Sequence, residues 1–405
     1  MSERATAAEE LIDAVVAGHI CLDVIPDLSA IPEDGLAMLF RPGNLTKVGP
    51  VVFSTGGAVS NTGLALNKLG IRTQLMGKVG SDSLSQVVCQ IVASHGAQLA
   101  DGMVVDDRVN TSYTIVISPP GIDRIFLHHP GANDHFSAED VRYDVVARSR
   151  LFHFGYPPLM NRVFEDGGRE LLEMFWRAKG LGVTTSLDMA VPDSGSAAGR
   201  ADWAAILRAV MPMVDVFLPS IEETLYMLRR ETYDALSQQA SGSDFLQLIS
   251  PALLSSLSQE LLGMGGKIIG LKMGDRGLYV RTARRAVLER MGRARPADLA
   301  AWANKELWSP CLQAHFVGAA GAGDATIAGF LTGLLRGLSL EDTVTAAVAV
   351  GACNVEAADT LSGVRSWEET LERIQRGWAR HPSHLDAPGW RFDHEHQMWM
   401  GPAGA

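Results

Sequence analysis

Basic charge is in short supply in this chain. Its 35 lysines and arginines face 46 aspartates and glutamates, a formal net charge of -11 over 405 residues. That balance argues against a general binder of nucleic acid or of anionic membranes. It leaves room for a small anionic ligand, which local amides and lysines can hold. Cysteine is scarcer. Cys21, Cys89, Cys311 and Cys353 stand far apart with no CxxC spacing, so neither a zinc site nor a redox pair is expected, and a reduced compartment is the simplest reading. No apolar run approaches the length of a membrane span. The first ten residues are acidic and polar and lack a signal-peptide pattern, so a cytoplasmic protein is expected. Repeats and low-complexity segments are missing too. No GxGxxG follows the first apolar run, where a dinucleotide-dependent dehydrogenase needs it.

Glycine and apolar residues are plentiful. Hydrophobic residues make up 47 %, enough for a sizeable core, and 41 glycines suit the many strand–helix joints of an α/β protein. Residues 14–24 form an apolar run that suits a buried first strand. Residues 27–52 are irregular. Gly56 and Gly57 lead into a helix with Leu64 and Leu69, which Gly70 ends. Residues 74–79 are strand-like, and 83–95 suit a helix. Two β-rich runs, 112–118 and 124–129, read as a hairpin around Pro119, Pro120 and Gly121. From residue 151 on, strand-like runs at 151–155, 183–188, 214–218, 267–272 and 278–281 alternate with helical ones. Such alternation predicts a mainly parallel sheet covered by helices. The pieces at 27–55 and 103–130 break it and are assigned to a small β-sheet lid. Residues 229–265 and 281–310 look like additions. The second carries six arginines, Arg281 to Arg295, which suit a solvated surface or the attraction of a phosphorylated ligand. The main domain is taken as 14–375 and the C-terminal tail as 376–405.

The chemistry concentrates at Gly321, Ala322, Gly323 and Asp324, ahead of an apolar pattern at helical spacing (Ile327, Leu331, Leu334, Leu335, Leu338). The first amides of a helix have no internal acceptor and carry the positive end of its dipole. Two glycines let an anion approach them. Asp324 then stands where a base would serve a nucleophile attacking that anion, as phosphoryl transfer to an alcohol requires. In isolation the same residues read equally as a tight turn and a helix cap. Asp23, at the end of the first apolar run, suits two hydroxyl groups or a turn before Pro26. Gly57 and Asn61 offer close backbone approach and an amide, or simply a strand–helix turn. Lys272, Gly274 and Gly277 form a glycine-rich turn fit to lie along a nucleotide, or a hairpin. Glu222 and Glu223 suit the waters of a magnesium ion, or first-turn acids behind a Ser220 cap. His128 and His129 are adjacent on a strand and His394 and His396 lie in the tail. All four are read as surface residues, unlike a metal site.

In this order the motifs resemble the PfkB family of carbohydrate kinases, the ribokinase-like family, over roughly residues 14–375. The resemblance rests on Gly56-Gly57-Ala58-Val59-Ser60-Asn61 as the first signature and Gly321-Ala322-Gly323-Asp324 as the second. Asp23, the stretch from Pro130 to Asn133, Ser220 to Glu223, and Lys272 to Gly277 add support. It implies a three-layer α/β sandwich with a small β-sheet lid, and transfer of the γ-phosphoryl group of ATP to a sugar or nucleoside-like hydroxyl. By that resemblance Asp324 is the base, and Gly321, Ala322 and Gly323 form the anion hole. Asp23, Gly57, Asn61 and Asn133 bind substrate. Ser220, Lys272, Gly274, Gly277 and Asn354 lie on the nucleotide side, and Glu223 orients Mg2+ through water. Two positions depart from the family pattern. Val317, Gly318, Ala319 and Ala320 carry no side-chain oxygen where the family often has Asp-Thr, which puts monovalent-cation activation in doubt. Ser220 replaces the usual Asn. The long 281–310 segment is expected to border the ATP cleft.

The expectation is an ATP- and Mg2+-dependent sugar kinase acting on a small molecule, with no nucleic-acid or membrane partner and a homodimer formed through the lid. The rivals are a nucleoside kinase, with Ile115, Ile117, Ile125 and Leu127 as one apolar lid face, and a sugar-binding regulator without catalysis.

Overall fold

The computed structural model describes residues 12–31, 39–119, 125–240, 245–383, 385 and 387–402. In chain order the strands are β1 (Ile12–Gly18), β2 (Cys21–Pro26), β3 (Val51–Gly56), β4 (Thr73–Met76), β5 (Lys78–Gly80), β6 (Val104–Asp106), β7 (Tyr113–Ile117) and β8 (Ile125–His129). They continue as β9 (Ser149–Gly155), β10 (Thr184–Leu187), β11 (Val216–Phe217), β12 (Ile268–Lys272), β13 (Leu278–Thr282), β14 (Glu306–Ser309), β15 (Arg391–Asp393) and β16 (Met398–Met400). The helices that matter for the site are α1 (Ala58–Lys68), α2 (Ser83–Ser94), α3 (Asn161–Gly180), α4 (Ile221–Leu228), α5 (Arg230–Ala240), α6 (Pro251–Gly263), α7 (Ala322–Leu335) and α8 (Leu340–Asn354).

Ten strands form one sheet in the order β15-β16-β14-β13-β12-β11-β10-β9-β1-β4. The six from β4 to β12 are parallel, and the rest pair antiparallel. Strand β1 shows why the sheet needs cover on both sides. Its residues alternate, with Ala14 and Val16 in one core and Val15 and Ala17 in the other. On the first face α1, α7 and α8 supply Val59, Leu64, Ile327, Phe330 and Val344. On the second, α3, α4 and α6 supply Leu171, Phe175, Leu225 and Leu257. This is the three-layer, ribokinase-like sandwich. Among the described residues no helix is long and apolar enough to cross a membrane.

A second sheet, ordered β3-β2-β7-β8, stands beside the first. Period-2 alternation and the observed register put Asp23, Ser54, Thr114 and His128 on one face of it.

Several boundaries differ from those read in the sequence. The apolar run 14–24 is two strands in different sheets, because the chain turns at His19 and Ile20. The run 74–79 breaks at Gly77 into β4 and β5. The lid therefore includes residues 21–26, while 104–106 leave it to pair with β5. The hairpin of β7 and β8 is present, with most of its turn (120–124) outside the described residues. Segment 281–310 contributes β14 to the main sheet. Its Arg293 donates to the carbonyls of Ala147, Ser149 and Leu181, and its Arg281 lies 4.0 Å from Glu306. The tail from 376 supplies β15 and β16, so it belongs to the sheet.

Candidate active site

Helix α7 begins at Gly321, whose φ of 72° suits glycine and whose added Cβ would lie 2.7 Å from the Thr360 carbonyl oxygen. Asp324 sits in the first turn and is almost fully buried. Its carboxylate accepts three hydrogen bonds: from Asn61 Nδ2 (3.1 Å), from Thr62 Oγ1 (3.1 Å) and from Tyr156 Oη (2.7 Å). Asn61 and Thr62 come from the start of α1. There Gly57, at φ 91°, packs so tightly that a Cβ would lie 2.5 Å from both the His19 carbonyl and Nδ1. The two glycine signatures are thus joined through one carboxylate.

On one side of Asp324 lies a cavity of about 460 Å3. Lys272, Gly274, Gly277, Ala322 and Gly323 all line it. So do Leu312, Ala314, Phe316, Val348 and Val355, an apolar wall suited to a flat aromatic base. Lys272 Nζ would lie 3.6 Å from a Cβ at Gly323, which puts a cation beside the positive end of α7. It also lies 2.7 Å from Asp188 Oδ1. Burial works against the Lys272 charge, but Asp188, Glu223 and Asp324 outweigh it and raise its pKa. Burial pushes the Asp188 carboxyl up, Lys272 opposes that, and Glu223 and Asp324 add to it. Asp188 Oδ2 is buried without a partner among the described residues.

Asp23, on β2 of the lid, lies against the first glycine signature: a Cβ at Gly56 would be 2.6 Å from Asp23 Oδ2. Its carboxylate accepts from the Cys21 thiol (3.4 Å), and burial raises its pKa to about 6.

The other expected residues do not line that cavity. Asn133 is fully buried, and its side chain holds the backbone of Ile20 from both sides, Nδ2 to the carbonyl (2.9 Å) and Oδ1 from the amide (3.1 Å). It braces the joint between body and lid. Ser220 and Glu223 form a reciprocal capping box on α4, at 3.1 and 2.6 Å. Asn354, fully buried, donates to the Ala320 carbonyl (2.7 Å) and does not line the cavity. The cavity wall before α7 comes from 311–319, and none of 281–310 lines it.

Three contributors escaped the sequence reading: Thr62, Tyr156 and Asp188. Asp188 follows the carboxyl end of β10, the same position rule that drew attention to Asp23. Tyr156 follows β9 with φ 66°, rare for an aromatic residue, and nothing in the sequence marks it.

The pattern of the pfkB family carbohydrate kinases matches residues 12–367. The chain belongs to the pfkB family. Among its relatives, fructokinase-2 of Oryza sativa is 26 % identical over 153 residues, 37 % of this chain and 42 % of that protein. The chain therefore matches less than half the length of this fructokinase. The 2-dehydro-3-deoxygluconokinase of Bacillus subtilis is 22 % identical over 353 residues, 83 % of this chain and 92 % of the relative. Ribokinase of Arabidopsis thaliana, solved with ribose and ATP, is 16 % identical and superposes with a TM-score of 0.65, covering 90 % of this chain and 99 % of its own. That likeness bears on the fold.

Proposed function

We propose that this pfkB-family protein transfers the γ-phosphoryl group of ATP to a hydroxyl of a sugar. The observation that carries the reading is the placement of Asp324. It occupies the first turn of the helix that heads the apolar cavity, and its carboxylate is bonded to Asn61 at the start of α1. A hydroxyl held by Asp23 and Asn61 would give its proton to Asp324 as it attacks the phosphorus. The first amides of α7 and the Lys272 ammonium would hold the charge on the phosphoryl oxygens. Asp188, with an unpartnered buried oxygen, and Glu223 suit a magnesium ion held directly or through water. Such an ion supplies charge neutralisation across the phosphates. The lid would exclude water, which competes as the phosphoryl acceptor.

A sugar is favoured over a nucleoside by the polar side chains nearest Asp23, although Val52, Val116 and Phe126 share that lid face. Beside Asp23 stand Ser54, Thr114 and His128. Ile115, Ile117 and Ile125 turn the other way and pack with Leu28 and Ile31. A coupled ATP-turnover screen over hexoses, pentoses, keto-deoxy sugar acids and nucleosides tests the choice. Asp324→Asn should lower kcat for the best acceptor by about 10²–10⁴-fold and leave ATP affinity nearly intact. Near-normal turnover in that variant rules out the base.

The lid also exposes large apolar side chains, Val51, Val52, Phe53, Phe126 and Leu127. A second copy packing lid to lid would cover them. Sedimentation should give a dimer for the native chain and a monomer for Phe126→Lys; a native monomer at micromolar concentration overturns this part.

A further inference from the structure

His19, Cys21 and His128 hold no group in the phosphoryl transfer proposed above, although Cys21 donates to Asp23 and His128 shares its lid face; their ligand atoms lie within 4.8 Å of one another. They come from three places. His19 is the turn between β1 and β2, Cys21 begins β2, and His128 is on β8. The His19 and His128 rings are tilted by 38°, with centroids 5.4 Å apart. His19 is 2 % exposed, and neither of its ring nitrogens has a hydrogen-bond partner among the described residues. A buried imidazole has one N–H to donate and one lone pair to fill, and leaving both unmet is costly. Thr114 Oγ1 stands 3.0 Å from His128 Nδ1 and steadies that ring. His128 is exposed on the lid, so the cluster opens toward solvent on that side.

Two imidazoles and a thiol form a donor set that hard cations such as magnesium disfavour and zinc favours. Tetrahedral zinc sets its ligand atoms about 3.5 Å apart, so a small closing movement of the lid would complete three corners. Asp23 stands next to the cluster, its Oδ1 3.4 Å from Cys21 Sγ.

We propose that His19, Cys21 and His128 bind one zinc ion where the lid joins the body, and that this ion competes with the acceptor for the pocket at Asp23. On binding, the Cys21 thiol releases its proton to solvent and the thiolate bonds the metal. The site is invisible in sequence spacing because the two histidines lie far apart in the chain.

The second half of the proposal rests on the kinase reading, and the first half does not. Cobalt(II) added to the metal-free full-length protein tests the first. One equivalent should produce a thiolate-to-cobalt charge-transfer band and the strong visible bands of four-coordinate cobalt, both bleached by zinc. Cys21→Ser should abolish the charge-transfer band, and Cys89→Ser should keep it. His128→Asn, an exposed change that leaves folding alone, should weaken binding at least about tenfold. A band that survives Cys21→Ser, or cobalt taken up with only weak six-coordinate bands, overturns the site. With an active acceptor in hand, zinc should raise its KM and leave the ATP KM unchanged. Zinc inhibition that competes with ATP overturns the second half alone. Failure of every acceptor in the screen bears on the kinase reading and leaves the cobalt result standing.

Discussion

Asp23 carries opposing demands on function and stability. Burial raises its pKa from 3.8 to about 6. The folded protein thus holds a proton that the unfolded chain gives up between about pH 4 and 6. Below pH 4 both states are protonated and the group costs nothing. Above pH 6 the folded state carries a buried carboxylate, at a cost of up to about 3 kcal/mol. Asp23→Asn should therefore raise stability toward denaturant at pH 8, with the gain fading to nothing near pH 4. On the proposed kinase reading the same ionisation would serve binding, since the carboxylate offers both oxygens, with full charge, as acceptors for two hydroxyls. The acceptor KM of the native enzyme should rise as pH falls through 6, while in Asp23→Asn it should be high at every pH. A stability gain equal at pH 4 and pH 8 contradicts the assigned cause. Asp23 was legible because it ends an apolar run before Pro26. Asp188 was equally legible by that rule. Tyr156 was not, because its role depends on a left-handed backbone that no residue pattern around it demands.

At the scale of the element, the loop ahead of α7 is held by the protein's own groups. The amides of Val317 and Gly318 both donate to the Val355 carbonyl, at 2.8 and 3.2 Å, and Asn354 Nδ2 holds the Ala320 carbonyl. The stretch without side-chain oxygens is thus fixed from the end of α8. Replacing potassium by tetramethylammonium should leave kcat unchanged; a strong dependence on potassium rejects that view of the loop. Asn354→Leu should strand the Ala320 carbonyl, costing about 1–3 kcal/mol in urea unfolding, and should lower kcat by loosening the first amides of α7. The sequence marked Asn354 as important through resemblance alone. Its contact to residue 320 depends on the packing of α7 against α8, which no local pattern encodes. Strand boundaries were misread for a related reason. Residues 14–24 are mostly apolar, interrupted by His19 and Asp23, and periodicity cannot tell which sheet each half joins.

At the scale of the whole molecule, the motifs pointed to a three-layer sandwich over about residues 14–375, and the strands of the tail are what they missed. Residues 376–400 carry Trp, His and Pro without periodicity, and their strands are three residues each, too short to register in a sequence window. Their effect is nevertheless structural. Strand β16 pairs with β14 through Leu307–Met400 and Trp308–Trp399. Met398 is fully buried in the first core. The Arg380 guanidinium ties the tail to Ser309, Pro310 and Thr345. Ending the chain at residue 389 would remove β15 and β16 and leave β14 as a bare edge, with unpaired amides beside a long sheet. That variant should melt at lower temperature and form large aggregates in size-exclusion chromatography, as an open edge recruits further chains. Adding Phe126→Lys discriminates between the two association surfaces. If aggregation runs through β14, the lid change leaves it intact, whereas a loss of aggregation assigns it to the exposed lid. A truncated chain that remains discrete and melts like the full protein means that β14 does not need its tail partner.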